Sequence, residues 1–218
     1  MKKVAVVLIL LWLALMTGTP GFAQNPLQVG VNASVLYPSG DLADLAKLGF
    51  NGGLTVKYFI MHNIALTGGV NYSMFGEKVI LIFPGYRIGN TYWSPVEEKI
   101  AGAYLPITVG LDYNLATIGE MTPYVSCTVG YYLGMGDFKN TVFPSPTIKG
   151  LPAAKAEELI KRIKLPGGNN YGVIPGAGFF YDFGNYKIDF TMTFHYIASD
   201  PAAMYIGVNS GFIFDLIK

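Results

Sequence analysis

The chain has 218 residues, enough for one domain or two small ones. It is 51% hydrophobic and only 13% charged, with 27 Gly and 15 Tyr. That apolar content excludes disorder, and a charge content near half the usual ~25% is not the surface of an ordinary cytosolic protein. A formal net charge of +1 offers no basic field to nucleic acid. The single Cys excludes an internal disulfide framework and any CxxC metal site.

Residues 1–23 read as a secretory signal peptide. Lys2 and Lys3 precede an unbroken apolar run, Val4–Met16, which Thr17, Gly18, Thr19 and Pro20 then break. Gly21 and Ala23 supply the small residues a signal peptidase reads, which places cleavage after Ala23. A spanning helix needs about 20 apolar residues, more than this run provides. Residues 24–218 then form one domain, in which no later apolar run is long enough for a helical span.

The mature chain alternates with a period of two, the mark of a strand with unlike faces. In the first segment Leu27, Val29, Val31, Ala33, Val35 and Tyr37 oppose Gln28, Gly30, Asn32, Ser34 and Leu36. Residues 41–48 predict a short helix. Two strands follow at Leu54–Ile60 and Ile64–Met74, joined near His62-Asn63. Val79–Phe83 and Tyr86–Trp93 flank Pro84-Gly85 and predict a hairpin beyond the membrane, since Val79–Phe83 does not alternate.

Leu105–Leu115 sets Ile107, Val109 and Leu111 against Thr108, Gly110 and Asp112. Val125–Leu133 follows after a turn around Thr117-Ile118-Gly119-Glu120. Residues 153–164 predict the one strong helix. Pro152 precedes it and Pro166-Gly167-Gly168 ends it, and its stripe of Ala153, Ala156, Leu159, Ile160 and Ile163 suits packing on a barrel rim. The last three segments are Gly172–Phe183, Tyr186–Tyr196 and Met204–Leu216, the first two joined at Gly184-Asn185.

In a soluble barrel the polar face meets water and carries many charges. Here it carries mainly Gly, Ser, Thr and Asn, which suits a cramped interior. With the faces reversed, lipid meets the apolar side. Strands of about 9–11 residues cross the hydrocarbon layer when tilted, and a sheet in lipid must close. Tyr37, Tyr58, Tyr72, Tyr113, Tyr131 and Tyr196 sit on apolar faces towards strand ends, as interfacial aromatics do. Short turns alternate with longer connections near 38–52, 75–103 and 137–169 and a shorter one near 198–203, which predicts short periplasmic turns and external loops. The expected fold is all-β: a closed antiparallel eight-stranded transmembrane β-barrel. Ten strands, with 79–93 as the extra pair, is the alternative.

Three motifs carry a resemblance: GVNASVLYPSGD at 30–41, YLPITVGLDY at 104–113 and TPYV at 122–125. On these, residues 24–218 resemble the small OmpA/OmpX-type outer-membrane β-barrel superfamily, especially the single-barrel outer membrane protein beta-barrel domain proteins of Bacteroidetes-like bacteria. The resemblance implies residence in a bacterial outer membrane, contact with its lipid and lipopolysaccharide, and insertion by the outer-membrane assembly machinery. Such barrels often end in an aromatic residue, and here Phe214 is the nearest outward one.

The pattern directs Lys57, Asp112, Asp182, Lys187, Asp189 and Asp215 into the lumen, with His195 nearby. An eight-stranded barrel is only wide enough for side chains to fill it, so these charges are expected to pair across it. His62 and His195 are the only histidines, and there is no nucleophile elbow, phosphate loop or metal constellation. The expectation is therefore no enzyme, no cofactor and no metal. The expected role is structural or a surface interaction through a ligand at the loops. The rival readings are a periplasmic lipid-binding barrel with its apolar faces inward, a narrow pore, and a lipid-modifying enzyme.

Overall fold

The computed structural model describes residues 27–88, 90–141 and 164–216. Residues 1–23 and nearly all of the helix expected at 153–164 lie outside them. The described residues form twelve strands: β1 Leu27–Ser39, β2 Lys47–Met61, β3 Ile64–Gly76, β4 Lys78–Phe83, β5 Tyr86–Ile88, β6 Thr91–Trp93, β7 Val96–Ile100, β8 Gly102–Asn114, β9 Met121–Gly136, β10 Asn169–Asp182, β11 Lys187–Ile197 and β12 Ala203–Asp215. Among the described residues one short α-helix, α1 (Asp41–Leu45), follows β1, and a 3-10 turn, Asp137–Lys139, follows β9.

Eight strands close into one antiparallel barrel in the order β1-β2-β3-β8-β9-β10-β11-β12, and β12 pairs back onto β1. The closing ladder runs unbroken from Gln28↔Asp215 to Ser39↔Met204. The ten-strand alternative is therefore incorrect. The four short strands make two separate ribbons outside the barrel. The expected pairing of 79–83 with 86–93 is also incorrect. β4 pairs with β7, whereas β5 and β6 form their own hairpin, Tyr86↔Trp93 to Ile88↔Thr91. One β4–β7 face turns inward because Ile82 and Ile100 bury against the barrel mouth.

The period of two sorts the side chains as lipid requires. Val31, Leu54, Val70, Val109, Val129, Met192 and Val208 all point outward and are exposed. Gln28, Lys57, Thr67, Asp112 and His195 are buried. An inward-facing apolar wall, which a periplasmic lipid-binding barrel needs, is the reverse of this arrangement. Tyr37, Tyr72, Tyr131, Tyr171 and Tyr196 cluster towards the loop end, and Tyr58, Tyr113, Tyr181 and Tyr186 towards the turn end. These are two girdles of the kind that flank an apolar band.

At the turn end the connections are tight. Phe183 N donates to Tyr186 O at 3.0 Å, with Gly184 between at φ 86°, and Gly184 N donates to Asp182 Oδ1 at 2.7 Å. At the loop end the lumen is filled. Leu36, Leu42, Leu45, Phe75, Ile82, Ile100, Tyr104, Tyr132, Phe138, Leu165, Ile197 and Tyr205 form one buried cluster, to which the barrel strands, α1, the β4–β7 ribbon and the β9–β10 connection contribute. Phe75 meets Tyr205 edge-on at 5.3 Å and Tyr104 packs on Phe138 at 5.2 Å. Tyr104 Oη donates to Pro166 O. This apolar plug closes the mouth that the sequence pattern left polar.

Two glycines make room for one plug residue. Gly130 and Gly172 face each other across β9 and β10. A Cβ on Gly130 would lie 2.9 Å from the Tyr132 ring, and one on Gly172 would lie 2.7 Å from it and 2.5 Å from Tyr196 O. Gly172→Val should therefore destabilise the barrel by about 1–3 kcal/mol in urea unfolding from lipid. Gly52→Ala, where a Cβ meets only Asn32 O at 3.6 Å, should stay within about 0.5 kcal/mol of wild type.

Candidate functional site

Beneath the plug the lumen is a polar column built from strand residues that turn inward at alternate positions. Gln28, Lys57 and Asp215 share one row, because Gln28 pairs in register with Lys57 on one side and Asp215 on the other. Lys57 Nζ lies 2.9 Å from Asp112 Oδ2 and 3.9 Å from Asp189 Oδ2, and 4.5 Å over the Tyr124 ring. Tyr124 Oη donates to Asp189 Oδ1 at 2.8 Å and also bonds Thr191 Oγ1. Thr191 Oγ1 donates to Asp189 Oδ1 at 3.1 Å.

A second cluster lies nearer the turn end. Lys187 Nζ is 3.5 Å from Asp215 Oδ1 and 3.9 Å from Asp182 Oδ2. Gln28 Nε2 donates to Asp215 Oδ1 at 2.7 Å. Four carboxylates thus face two ammonium groups, and neutral donors from Gln28, Tyr124 and Thr191 make up part of the difference. Asp182 differs from the rest, because its side chain is 41% exposed at the open turn-side mouth. There a vestibule of ≈ 360 Å³ is lined by His62, Asn63, Asn114, Glu120 and Thr122.

His195 stands apart from both ion clusters, just under the plug. Its Nδ1 is 2.8 Å from Tyr132 Oη and its Nε2 is 3.1 Å from Thr193 Oγ1. The ring stacks on Tyr205 at 4.2 Å and 15°. It is fixed between plug and column, while Ser199 lies in the external loop, donating to Pro201 O at 2.7 Å. His62 lines the turn-side vestibule, away from it. Between His195 and Lys57 lies a cavity of ≈ 140 Å³ lined by Asn32, Asn51, Asn71, Thr108, Ser126 and Asn209 among others. By size it holds several water molecules. Among the described residues no group of three or more His, Cys, Asp or Glu is placed to hold a metal.

Sequence reasoning missed the partners that are not charged. Tyr124 and Gln28 occupy inward register positions, and that register was the available signal. Tyr132, Tyr104, Phe75 and Tyr205 were missed as plug residues. Leu36 and Tyr132, apolar exceptions on otherwise polar faces, were the hint.

The sequence matches no protein-family model and no curated protein. Among solved structures it is similar to Neisserial surface protein A, at 13% identity and a TM-score of 0.56, over 87% of this chain and 97% of that one. The N-terminal β-barrel domain of Pseudomonas aeruginosa OprF aligns at 14% identity, a TM-score of 0.45 and 88% and 98% coverage. Ail, the attachment invasion locus protein of Yersinia pestis, solved with the heparin analogue sucrose octasulfate, aligns at 14%, 0.42, and 87% and 97%. With the closed ladder and the reversed faces, the first likeness defines the class of fold: a closed eight-stranded transmembrane β-barrel.

Lys57→Met should cost about 3–5 kcal/mol, because it strands Asp112 and Asp189 without their cation. Adding Asp112→Asn should recover part of that loss, with a coupling of roughly 0.5–3 kcal/mol in a double-mutant cycle. Unfolding from lipid vesicles measures both.

Proposed function

We propose that this chain is an integral protein of a bacterial outer membrane with a structural or surface-interaction role and no catalytic step. The observation that carries the reading is the division of the barrel wall, with an apolar outer belt between two tyrosine girdles and an inner column of paired charges under an apolar plug. Residues 1–23 act as the cleaved signal peptide, and the outer-membrane assembly machinery inserts the barrel. The motifs at 30–41, 104–113 and 122–125 favour a place among the Bacteroidetes-type single-barrel proteins.

The plug argues against bulk transport. Tyr104, Tyr132, Tyr205 and Phe138 are fully buried across the loop-side mouth, so a solute entering the vestibule meets packed rings. The external ribbons offer the surface that a ligand would meet. Val79 and Leu81 on β4, and Tyr92 at the β5–β6 tip, are exposed there. Purified protein in planar bilayers should show no discrete conductance steps, and regular steps would favour the pore reading instead.

Cell fractionation with a heat-modifiability gel tests the main reading. The mature protein should begin at Gln24, sediment with the outer membrane, and migrate differently when boiled. A soluble periplasmic protein without a heat shift would contradict it.

A further inference from the structure

Buried oxygens without partners are rare in a folded interior, and in this lumen they gather. Among the described residues, five buried side-chain oxygens have no hydrogen-bond partner: Ser34 Oγ, Ser39 Oγ, Asn51 Oδ1, Ser73 Oγ and Tyr205 Oη. Ser39 stands apart at the loop end of β1, opposite Met204. The other four lie together just under the plug. Ser34 pairs in register with Asn51, and Asn51 with Ser73, so three inward side chains stand side by side on β1, β2 and β3. Tyr205 reaches in from β12. Its ring lies 5.3 Å from that of Phe75, two residues from Ser73 on the same face. Its hydroxyl turns towards Ser73 and Tyr132 without bonding either. Ser34 is 6% exposed, and Ser73 and Tyr205 are 0% exposed.

The chemistry of this cluster selects its ligand. Each of the four oxygens shows less than 1 Å² to solvent, which is too little for a water molecule, whereas a dehydrated sodium ion is smaller. Three hydroxyls and one amide carbonyl are hard, neutral donors, of the kind that replace the hydration shell of an alkali ion. Calcium and magnesium take carboxylates, and this row holds none. The charge of the lumen has the matching sign. Asn51 opens onto the cavity that Lys57, Asp112 and Asp189 also line. Among the described residues of the column, Asp112, Asp182, Asp189 and Asp215 face Lys57 and Lys187, an excess of two negative charges. Such a lumen repels an anion and draws in a cation. The same cavity has room for water to complete the ion's shell.

We infer that Ser34 Oγ, Asn51 Oδ1, Ser73 Oγ and Tyr205 Oη form a binding site for one sodium ion. Bound there, the ion ties β1, β2 and β3 to β12 across the lumen. It holds Tyr205 in place between His195, on which its ring stacks at 4.2 Å, and Phe75, and so fastens the base of the plug. The site is separate from the ion pairs of the column and independent of the surface role proposed above.

The test is urea unfolding of the processed barrel in phosphatidylcholine vesicles, with each variant first checked by its heat shift. Sodium, potassium and choline chloride are compared at one ionic strength, which holds screening constant. Sodium should lower the unfolding equilibrium constant at least about fivefold relative to choline, and potassium should do less. Ser73→Ala and Asn51→Ala should each lose that sodium increment. In choline, Ser73→Ala should unfold no more readily than wild type, because it deletes a buried hydroxyl that bonds nothing. Ser126→Ala, on the cavity wall but outside the cluster, should keep the increment. Should Ser73→Ala fail to insert, Ser34→Ala carries the same comparison. Equal stability in sodium and choline would mean that these oxygens meet water only, and the site falls. An increment that survives both Ser73→Ala and Asn51→Ala, that Ser126→Ala also abolishes, or that potassium matches overturns the assignment as well.

Discussion

Closure of the β1–β12 ladder is the constraint on which everything else in the molecule depends. A sheet surrounded by hydrocarbon has no water to satisfy its edge groups, so the first and last strands must meet. They do so over the register Gln28↔Asp215 to Ser39↔Met204, and Leu216 N donates to Leu27 O at 3.0 Å beyond it. Once the sheet is closed, every residue faces either lipid or a narrow lumen. The outward positions are then apolar, and the inward ones are small, polar or paired in the turn-side half and packed into the plug in the loop-side half.

The lumen shows how eight strands solve the packing of their own interior. The turn-side half is polar, and its charges are held by ion pairs and by neutral donors. Lys57 is shared by Asp112 and Asp189, and Asp189 is further held by Tyr124 and Thr191. The loop-side half is aromatic and aliphatic. His195 marks the boundary, with both ring nitrogens against polar partners and its face on Tyr205. The change of character explains why the barrel is open at one end and plugged at the other. It also gives the loops a fixed base, since Leu42, Leu45, Ile82, Phe138 and Leu165 are anchored in the same cluster.

Much of this was legible from residue alternation, because a strand with unlike faces writes its environment into odd and even positions. The turns at 62–63, near 119 and at 184 were legible for a related reason, since Gly119 and Gly184 take positive φ there. Boundaries were less so. The connection expected at 38–52 is much shorter, because β2 begins at Lys47. Gly49, Gly52 and Gly53 hid the alternation of Leu48, Phe50 and Leu54. The ribbon pairing was not legible: β4 and β7 meet across an intervening hairpin, a non-local choice made by burial of Ile82 and Ile100. The inward direction of Lys57, Asp112, Asp189 and Asp215 was readable from register alone. Which carboxylate sits nearest Lys57 was not, because that depends on the tilt and stagger of the closed sheet.

The measurement that most directly tests the reversed barrel uses the protein's own single cysteine. Cys127 lies mid-strand on β9 and points outward, while Thr128 beside it lines the lumen cavity. A nitroxide on Cys127, in protein reconstituted into lipid vesicles, should be relaxed strongly by oxygen and weakly by a water-soluble nickel chelate, as a probe in hydrocarbon is. Strong relaxation by the chelate and weak relaxation by oxygen would mean that the outer wall meets water, and the membrane assignment would fail.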